Sequence, residues 1–139
     1  MMNAMSLLRG ATLAIGLALA ISGPAAAKGL GGHLHGSEWG FQGDPQGAER
    51  FVQFGGGNRV TGSGGCNRFS GTFQHTDDDL TVGPLVSTRR ACPPEVMQRE
   101  QDFFKLFEQV RSADATHLEL VLKDGDGKVL ATLQRRDPD

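Results

Sequence analysis

Short segments in which apolar and polar residues alternate recur along the chain, and this is the pattern of half-buried β-strands. Residues that favour turns, mainly Gly, Asn and Asp, separate these segments. We predict strands at residues 38–42, 49–54, 59–63, 66–73, 80–82, 117–122 and 129–133. The last two form a hairpin around residues 124–127, where Asp-Gly-Asp-Gly begins like a calcium-binding loop but lacks its terminal Glu ligand.

One segment, residues 93–110, instead has the periodicity of an amphipathic helix. Two prolines begin it, as the first turn of a helix tolerates. Apolar residues then follow at intervals of three to four, and the stripe consists of Val96, Phe103, Leu106, Phe107 and Val110. Together with Phe104, the two phenylalanines of the stripe could line a site for a hydrophobic ligand. We interpret them as core, because a helix on a sheet must bury one face.

The glycine content supports a β-rich domain with tight turns. Glycine occupies 20 of the 139 positions, which is about twice its usual share. We therefore predict one small domain of the α+β class, mainly antiparallel β, with a single packed helix.

The N-terminal residues have the pattern of a cleavable signal peptide: a basic residue, a short apolar core and small residues before a cleavage site. Arg9 supplies the charge, residues 11–21 are apolar, and residues 25–27 are alanines. A bilayer span needs about 20 apolar residues, so a signal peptide at residues 1–27 is favoured over an uncleaved anchor. A lipoprotein is disfavoured because no Cys lies near the cleavage site. We expect a periplasmic or secreted protein.

Removal of residues 1–27 takes away Arg9 and no acidic residue, so 13 basic residues remain against 16 acidic ones, a net charge of −3. This balance disfavours nucleic acid as a partner, because contacts to phosphates need clustered basic residues. We expect a monomer without a cofactor or a further membrane span, whose partner is an unknown protein or small molecule of the cell envelope.

The chain has two cysteines, Cys66 and Cys92. An even number of cysteines in an exported protein favours a bridge over free thiols. We therefore predict a disulfide bond between them.

Two polar segments are weak candidates for metal binding. Residues 28–36 contain four glycines with His33 and His35, and we interpret them as a flexible leader. Residues 77–79 are three aspartates, which we interpret as a solvated turn because the spaced ligands of a calcium loop are missing. We predict no metal site in either segment.

The sequence VTGSGGCNRFSG at residues 60–71, followed by LTVGPLVSTRRACP at residues 80–93, strongly resembles the signature of the META domain family, which includes the HslJ heat-shock protein. Trp39 matches the tryptophan of the first strand in relatives, and the resemblance extends over about residues 36–134. We place the domain at residues 37–139. The motif positions are Gly65, Cys66, Asn67, Arg68, Phe69, Gly71, Gly83, Pro84, Leu85, Thr88 and Cys92.

The resemblance implies a compact, mostly antiparallel domain, with a curved or barrel-like sheet and one packed helix. It implies an exported or envelope-associated protein linked to stress, drug tolerance or virulence, and no catalytic reaction. Within the motif, Asn67 suits a local hydrogen bond in a turn, while Arg68 and Arg89 could pair with carboxylates or aromatic rings. One departure is Arg90, a position that is more often apolar in relatives.

The function that we expect is a non-enzymatic binding or stabilising module for envelope stress or drug tolerance. An inhibitor of a hydrolase is an alternative that rests on architecture alone. A cysteine-dependent enzyme is a further alternative, with Cys66 as the nucleophile and His75 or His117 as the base. We disfavour this alternative because a disulfide removes the nucleophile and no pattern brings a base to Cys66.

Overall fold

The computed structural model describes residue 30 and residues 32–137, together with Gly16. Apart from Gly16, the predicted signal peptide lies outside the described residues. Within the described part of the chain, no helix has both the length and the apolar character needed to cross a membrane.

The described residues form eight β-strands and one α-helix. The strands are β1 Ser37–Gly40, β2 Arg50–Phe54, β3 Arg59–Gly64, β4 Arg68–His75, β5 Leu80–Ser87, β6 Ser112–Ala115, β7 Glu119–Lys123 and β8 Val129–Arg135. The helix α1 spans Pro94–Gln109, and a 3-10 turn at Gly56–Asn58 connects β2 to β3.

All eight strands belong to one antiparallel sheet in the order β5-β4-β3-β2-β1-β8-β7-β6. Two meanders, β1 to β5 and β6 to β8, are therefore joined through the pairing of β1 with β8. Helix α1 is the connection between the meanders. This arrangement confirms the predicted class, a mainly antiparallel sheet with one packed helix.

The sheet curls into a half-barrel, and its two edge strands meet at one end only. The backbone N–H of Leu80 donates to the carbonyl of Arg111 at 3.0 Å, and the N–H of Ala113 donates to that of Asp78 at 2.9 Å. An isolated bridge joins Asp79 to Ser112 beside them. Residues 76–78 form a bend, so the predicted turn is confirmed, and its backbone also closes this end of the barrel.

The core lies on the concave face of the sheet and under α1. Trp39, Phe54 and Phe73 from the strands and Phe103 and Phe107 from the helix are almost completely buried. Several of these rings meet edge to face, as Phe54 and Phe73 do with ring centroids 5.0 Å apart. Phe103 and Phe107 therefore belong to the core, as the helical periodicity indicates.

A bulge in β5 lets this strand continue past Gly83 and Pro84. Gly71 of β4 pairs with Leu85, whereas Phe73 pairs with Val82, so β5 has one residue more than β4 between these pairs. A Cβ atom at Gly71 would lie 2.5 Å from the carbonyl oxygen of Pro84, which explains the glycine at this position. The predicted strand at 80–82 was too short because Gly-Pro is normally a turn signal.

The segment interpreted as a flexible leader contributes two residues to the core. Leu30 and Leu34 are completely buried, and the N–H of Leu30 donates to the carbonyl of Asp77 at 2.9 Å. The N–H of Gly36 likewise donates to the carbonyl of Phe54 at 2.6 Å. The interpretation as a free leader was therefore wrong for these residues, because two spaced leucines outweigh the local glycine content.

The turn before β8 has the predicted form. The N–H of Asp124 donates to the carbonyl of Lys128 at 2.9 Å. The Asp124 carboxylate accepts from the backbone N–H groups of Asp126 and Lys128, both at 2.9 Å. The carboxylate thus stabilises the hairpin turn from inside.

Candidate functional site

Asn67 lies buried between β3 and β4, where it connects two distant parts of the motif. Its Oδ1 atom accepts hydrogen bonds from the Thr88 hydroxyl at 2.9 Å and from the backbone N–H of Arg90 at 2.6 Å. Its Nδ2 atom donates to the carbonyl of Arg90 at 3.3 Å and to Oε1 of Glu100 at 2.6 Å. The side chain of Asn67 therefore bonds to distant residues, and the prediction of a local turn bond was wrong.

Glu100 of α1 completes this network. Its Oε2 atom accepts from the backbone N–H groups of Cys66 at 3.0 Å and of Asn67 at 2.6 Å. The residue is 6% exposed, so these bonds replace water for a buried carboxylate. Among the described residues, no buried side-chain nitrogen or oxygen lacks a hydrogen-bond partner.

The backbone of β3 leaves room for this carboxylate. A Cβ atom at Gly64 would lie 2.4 Å from Cγ of Glu100, so a larger residue would displace the glutamate. The sequence interpretation missed Glu100. The helical spacing does indicate that Glu100 is buried. Glu100 lies four residues after Val96 and three before Phe103, and thus within the apolar stripe of the helix.

The predicted disulfide bond between Cys66 and Cys92 is confirmed, with Cα atoms 6.0 Å apart. Cys66 follows β3 and Cys92 precedes α1, so the bond joins the same two regions that Asn67 connects. The segment from Ser87 to Cys92 is therefore fixed to the β3–β4 connection by a covalent bond and by the side chain of Asn67.

An apolar cleft of about 350 Å³ lies between β5 and α1. It exists because β5 pairs with a strand on one side only beyond Leu80, and the helix lies along its free side. The lining residues are Val82, Gly83, Pro84, Leu85 and Ser87 of the strand and Phe104, Phe107 and Glu108 of the helix. Its walls are mainly apolar, with one hydroxyl and one carboxylate, which is the composition of small-molecule sites. Three of the motif residues, Gly83 to Leu85, thus line the cleft.

The family model of the META domain matches residues 31–137 of the chain. The chain belongs to the META domain family. No curated protein matches this sequence significantly.

Two solved NMR structures are similar to this META domain. One is a protein from Burkholderia xenovorans, 22% identical, with a TM-score of 0.61 over 73% of this chain and 83% of the other. The second is 23% identical, with a TM-score of 0.55 over 73% of this chain and 90% of the other. At these identities the likeness supports the fold alone.

The arginines of the META motif do not form the predicted pairs. Arg68 and Arg89 are exposed, and the salt bridges of the described residues involve other side chains. Arg90 is also exposed and contributes only its backbone N–H and carbonyl to the network around Asn67. The departure from an apolar residue at position 90 therefore leaves the network intact.

A second polar cluster fixes the β1–β2 loop of the META domain. The Asp44 carboxylate accepts from Nε of Arg50 at 2.9 Å, from Nη2 at 2.8 Å and from the backbone N–H of Arg50 at 2.9 Å. Nη1 of Arg99 on α1 lies 3.7 Å away. Burial raises the pKa of Asp44, but the hydrogen bonds from Arg50 and the charges of Arg50 and Arg99 outweigh burial and hold this pKa below its usual value.

The candidate residues of a cysteine enzyme are not brought together. Cys66 is bonded to Cys92, and the described contacts of His75 are with His35, Phe73 and Thr76. His117 is exposed in the connection between β6 and β7. Among the described residues, no group of three His, Cys, Asp or Glu side chains is arranged to hold a metal ion.

Proposed function

We propose that this META domain is a non-enzymatic, exported binding module that takes up an apolar small molecule in the cleft between β5 and α1. The observation that carries the proposal is the cleft itself, with a volume of about 350 Å³ and walls formed by Phe104, Phe107 and Leu85. Cavities of about 300–1,000 Å³ with apolar walls and few polar groups are typical of small-molecule sites.

The two polar groups of the cleft suggest that the ligand also carries a charged or hydrogen-bonding group. Glu108 is exposed on α1, and the Ser87 hydroxyl lies at the end of β5. A carboxylate at an apolar cleft favours a ligand that carries a positive charge or hydrogen-bond donors beside its apolar part. A cationic amphiphile of drug size has both features, and drug tolerance is a setting that the family resemblance implies.

The disulfide bond supports both export and the absence of cysteine catalysis. A disulfide bond persists in oxidising compartments outside the cytoplasm. The same bond leaves no free thiol at Cys66, so the cysteine-enzyme alternative has no nucleophile while the bond is intact.

The proposal is tested by titrating the protein with N-phenyl-naphthylamine, a neutral apolar dye, and recording its fluorescence. The Phe104→Ala variant removes one aromatic wall of the cleft, and we expect its affinity for the dye to fall about tenfold or more. The matched control is Leu106→Ala on the same helix, since Leu106 packs on the core without lining the cleft. Equal dye affinity in wild type and Phe104→Ala, with both proteins folded, would exclude the cleft as the site.

The contribution of charge is tested separately with rhodamine 6G, a cationic apolar dye. We expect Glu108→Gln to weaken binding of this dye and to leave the neutral dye unaffected, because only the cation interacts with the carboxylate. An unchanged affinity for the cationic dye would restrict the proposal to neutral apolar ligands.

A further inference from the structure

Two histidines from distant segments meet beside the bend at residues 76–78. The Nε2 atoms of His35 and His75 are 3.0 Å apart, although the residues are separated by 40 positions in the sequence. His35 is exposed and His75 is half-buried, so water and ions have access to the pair.

The core ring of Phe73 lies against both imidazoles. Its centroid is 5.8 Å from that of His35 and 5.9 Å from that of His75, and the ring of His75 is nearly parallel to it, with an angle of 19°. Phe73 is 1% exposed and packs against Phe54, so it is a fixed support. The position of the histidine pair is therefore defined by the core as well as by the surface.

The hydrogen bonding of His75 suits a metal ligand. Its Nδ1 atom is 3.4 Å from the carbonyl oxygen of Thr76. An Nδ1–H that donates to this carbonyl leaves Nε2 with a free lone pair, and this is the tautomer in which histidines commonly bind metals. Without a cation between them, one of the two Nε2 atoms must carry a proton, because two lone pairs at this distance repel each other.

The distance between the two Nε2 atoms determines the N–metal–N angle and so favours ions that prefer that angle. An ion at 2.0–2.1 Å from each of two nitrogens that are 3.0 Å apart forms an N–metal–N angle of roughly 91–97°. This angle is closer to the 90° of square-planar or tetragonal coordination, which Cu(II) and Ni(II) prefer, than to the tetrahedral angle of zinc sites. The three exposed aspartates at residues 77–79 add negative charge near the pair, which favours any cation there.

We propose that His35 and His75 form a binding site for Cu(II) or Ni(II). Among the described residues no third protein ligand joins them, so water or a small ligand completes the coordination. Binding requires the proton of His35 to move from Nε2 to Nδ1 through solvent, so that both imidazoles stay neutral and each offers an Nε2 lone pair to the ion. The site is independent of the β5–α1 cleft, since none of its residues lines that cleft.

The test uses protein purified without a polyhistidine tag and titrated with copper sulfate or nickel sulfate. We expect each metal to raise the melting temperature, because a ligand of the native state stabilises it. The electron paramagnetic resonance spectrum of the copper complex should show coupling to two imidazole nitrogens. We expect His35→Gln and His75→Gln each to weaken copper binding by at least about tenfold.

The controls are His33→Gln, from the same segment as His35, and His117→Gln, from the connection between β6 and β7; both should bind copper as the wild type does. Melting of every variant without metal verifies that it is folded. A wild-type protein whose melting temperature and spectrum do not respond to copper would overturn the proposal, and the pair would then be a simple hydrogen bond. Unchanged binding in both His35→Gln and His75→Gln would also overturn it.

Discussion

Asn67 and Glu100 are buried polar side chains, and burial of such groups costs free energy unless each atom is hydrogen-bonded. Here the cost is met by bonds to groups that would otherwise be unpaired themselves, namely the backbone N–H groups of Cys66, Asn67 and Arg90. The motif is therefore distinctive for a structural reason: the side-chain atoms of Asn67 are bonded to Thr88 and Arg90 of the motif and to Glu100 of α1.

Glu100→Ala should destabilise the protein by about 2–4 kcal/mol. The substitution leaves two backbone N–H groups without their acceptor and removes one of the two acceptors of the Asn67 amide. An unsatisfied buried donor costs about 1–3 kcal/mol. Urea denaturation measures the change in the free energy of unfolding. Gln101→Ala, at the next and exposed position of α1, is the control and should change this free energy by less than about 0.5 kcal/mol. Similar effects of the two variants would mean that the network contributes little.

The ion pair of Asp44 with Arg50 should make stability depend on pH in the acid range. The pKa of Asp44 is lowered in the folded protein from its ordinary value of 3.8. Its ionised form therefore stabilises the fold above the unfolded-state pKa, and this contribution is lost as the pH falls through the lower folded-state pKa.

Asp44→Asn removes this contribution. We expect the difference in free energy of unfolding between wild type and variant to be largest at pH values well above 3.8 and to narrow as the solution is acidified through and below that value. Urea denaturation at a series of pH values measures it. A difference that stays constant over the acid range would mean that folding does not lower the pKa of Asp44.

At the scale of elements, periodicity located most strands and the helix because each of them buries one regular face. The helix was predicted at residues 93–110 and spans Pro94–Gln109, and the strand predicted at 59–63 spans Arg59–Gly64. Strand β6 at Ser112–Ala115 was missed because its inward residues are the alanines Ala113 and Ala115, which give little contrast with their polar neighbours.

The candidate site was predictable only in part, because many of its contacts join residues that are far apart in the sequence. The motif and the cysteine pair indicated that residues 66 and 92 lie close together, and Phe104 and Phe107 were considered as ligand contacts. The pairing of Asn67 with Glu100 and of His35 with His75 joins residues 33 and 40 positions apart. Such contacts depend on how the elements pack, and no local pattern of residue types encodes them.

Phe107→Ala tests the packing of α1 on the sheet. Phe107 is 1% exposed, and its ring centroid lies 4.6 Å from that of Phe103 and 5.9 Å from that of Phe69. We expect a loss of about 3–5 kcal/mol, from lost burial and from the cavity that remains. Met97→Ala is the control, because Met97 lies on the exposed side of the same helix, and should cost less than about 1 kcal/mol. A loss below about 1 kcal/mol for Phe107→Ala would mean that the helix is not tightly docked.

At the scale of the whole molecule, the half-barrel is held in two different ways at its two ends. Backbone hydrogen bonds between residues 78–80 and 111–113 join the edge strands at one end. Along the rest of β5, helix α1 lies where a neighbouring strand would otherwise pair. The two elements are in contact, and the cleft lies between them. The disulfide and the Asn67–Glu100 hydrogen bond connect the N-terminal half of this helix and the segment before it to the β3–β4 connection.

The disulfide should therefore contribute to global stability. Cys66 and Cys92 are separated by 26 positions, and the chain-entropy model assigns roughly 3–4 kcal/mol to a loop of this size. The double variant Cys66→Ala, Cys92→Ala should thus unfold with a free energy about 2–5 kcal/mol lower than the wild type.

Reduction provides the matched control for this prediction. A reducing agent should lower the melting temperature of the wild type toward that of the double variant, and it should leave the double variant itself unchanged, because that protein has no bond to break. The reduced wild type lacks the bond but keeps both sulfur atoms. Its change in melting temperature therefore reports the bond alone, without the packing lost in the double variant. If reduction of the wild type, verified by alkylation and intact mass, left its melting temperature unchanged, the hydrogen bonds of Asn67 and Glu100 alone would suffice to hold the two segments together. In that case the disulfide would contribute little to the stability of the domain.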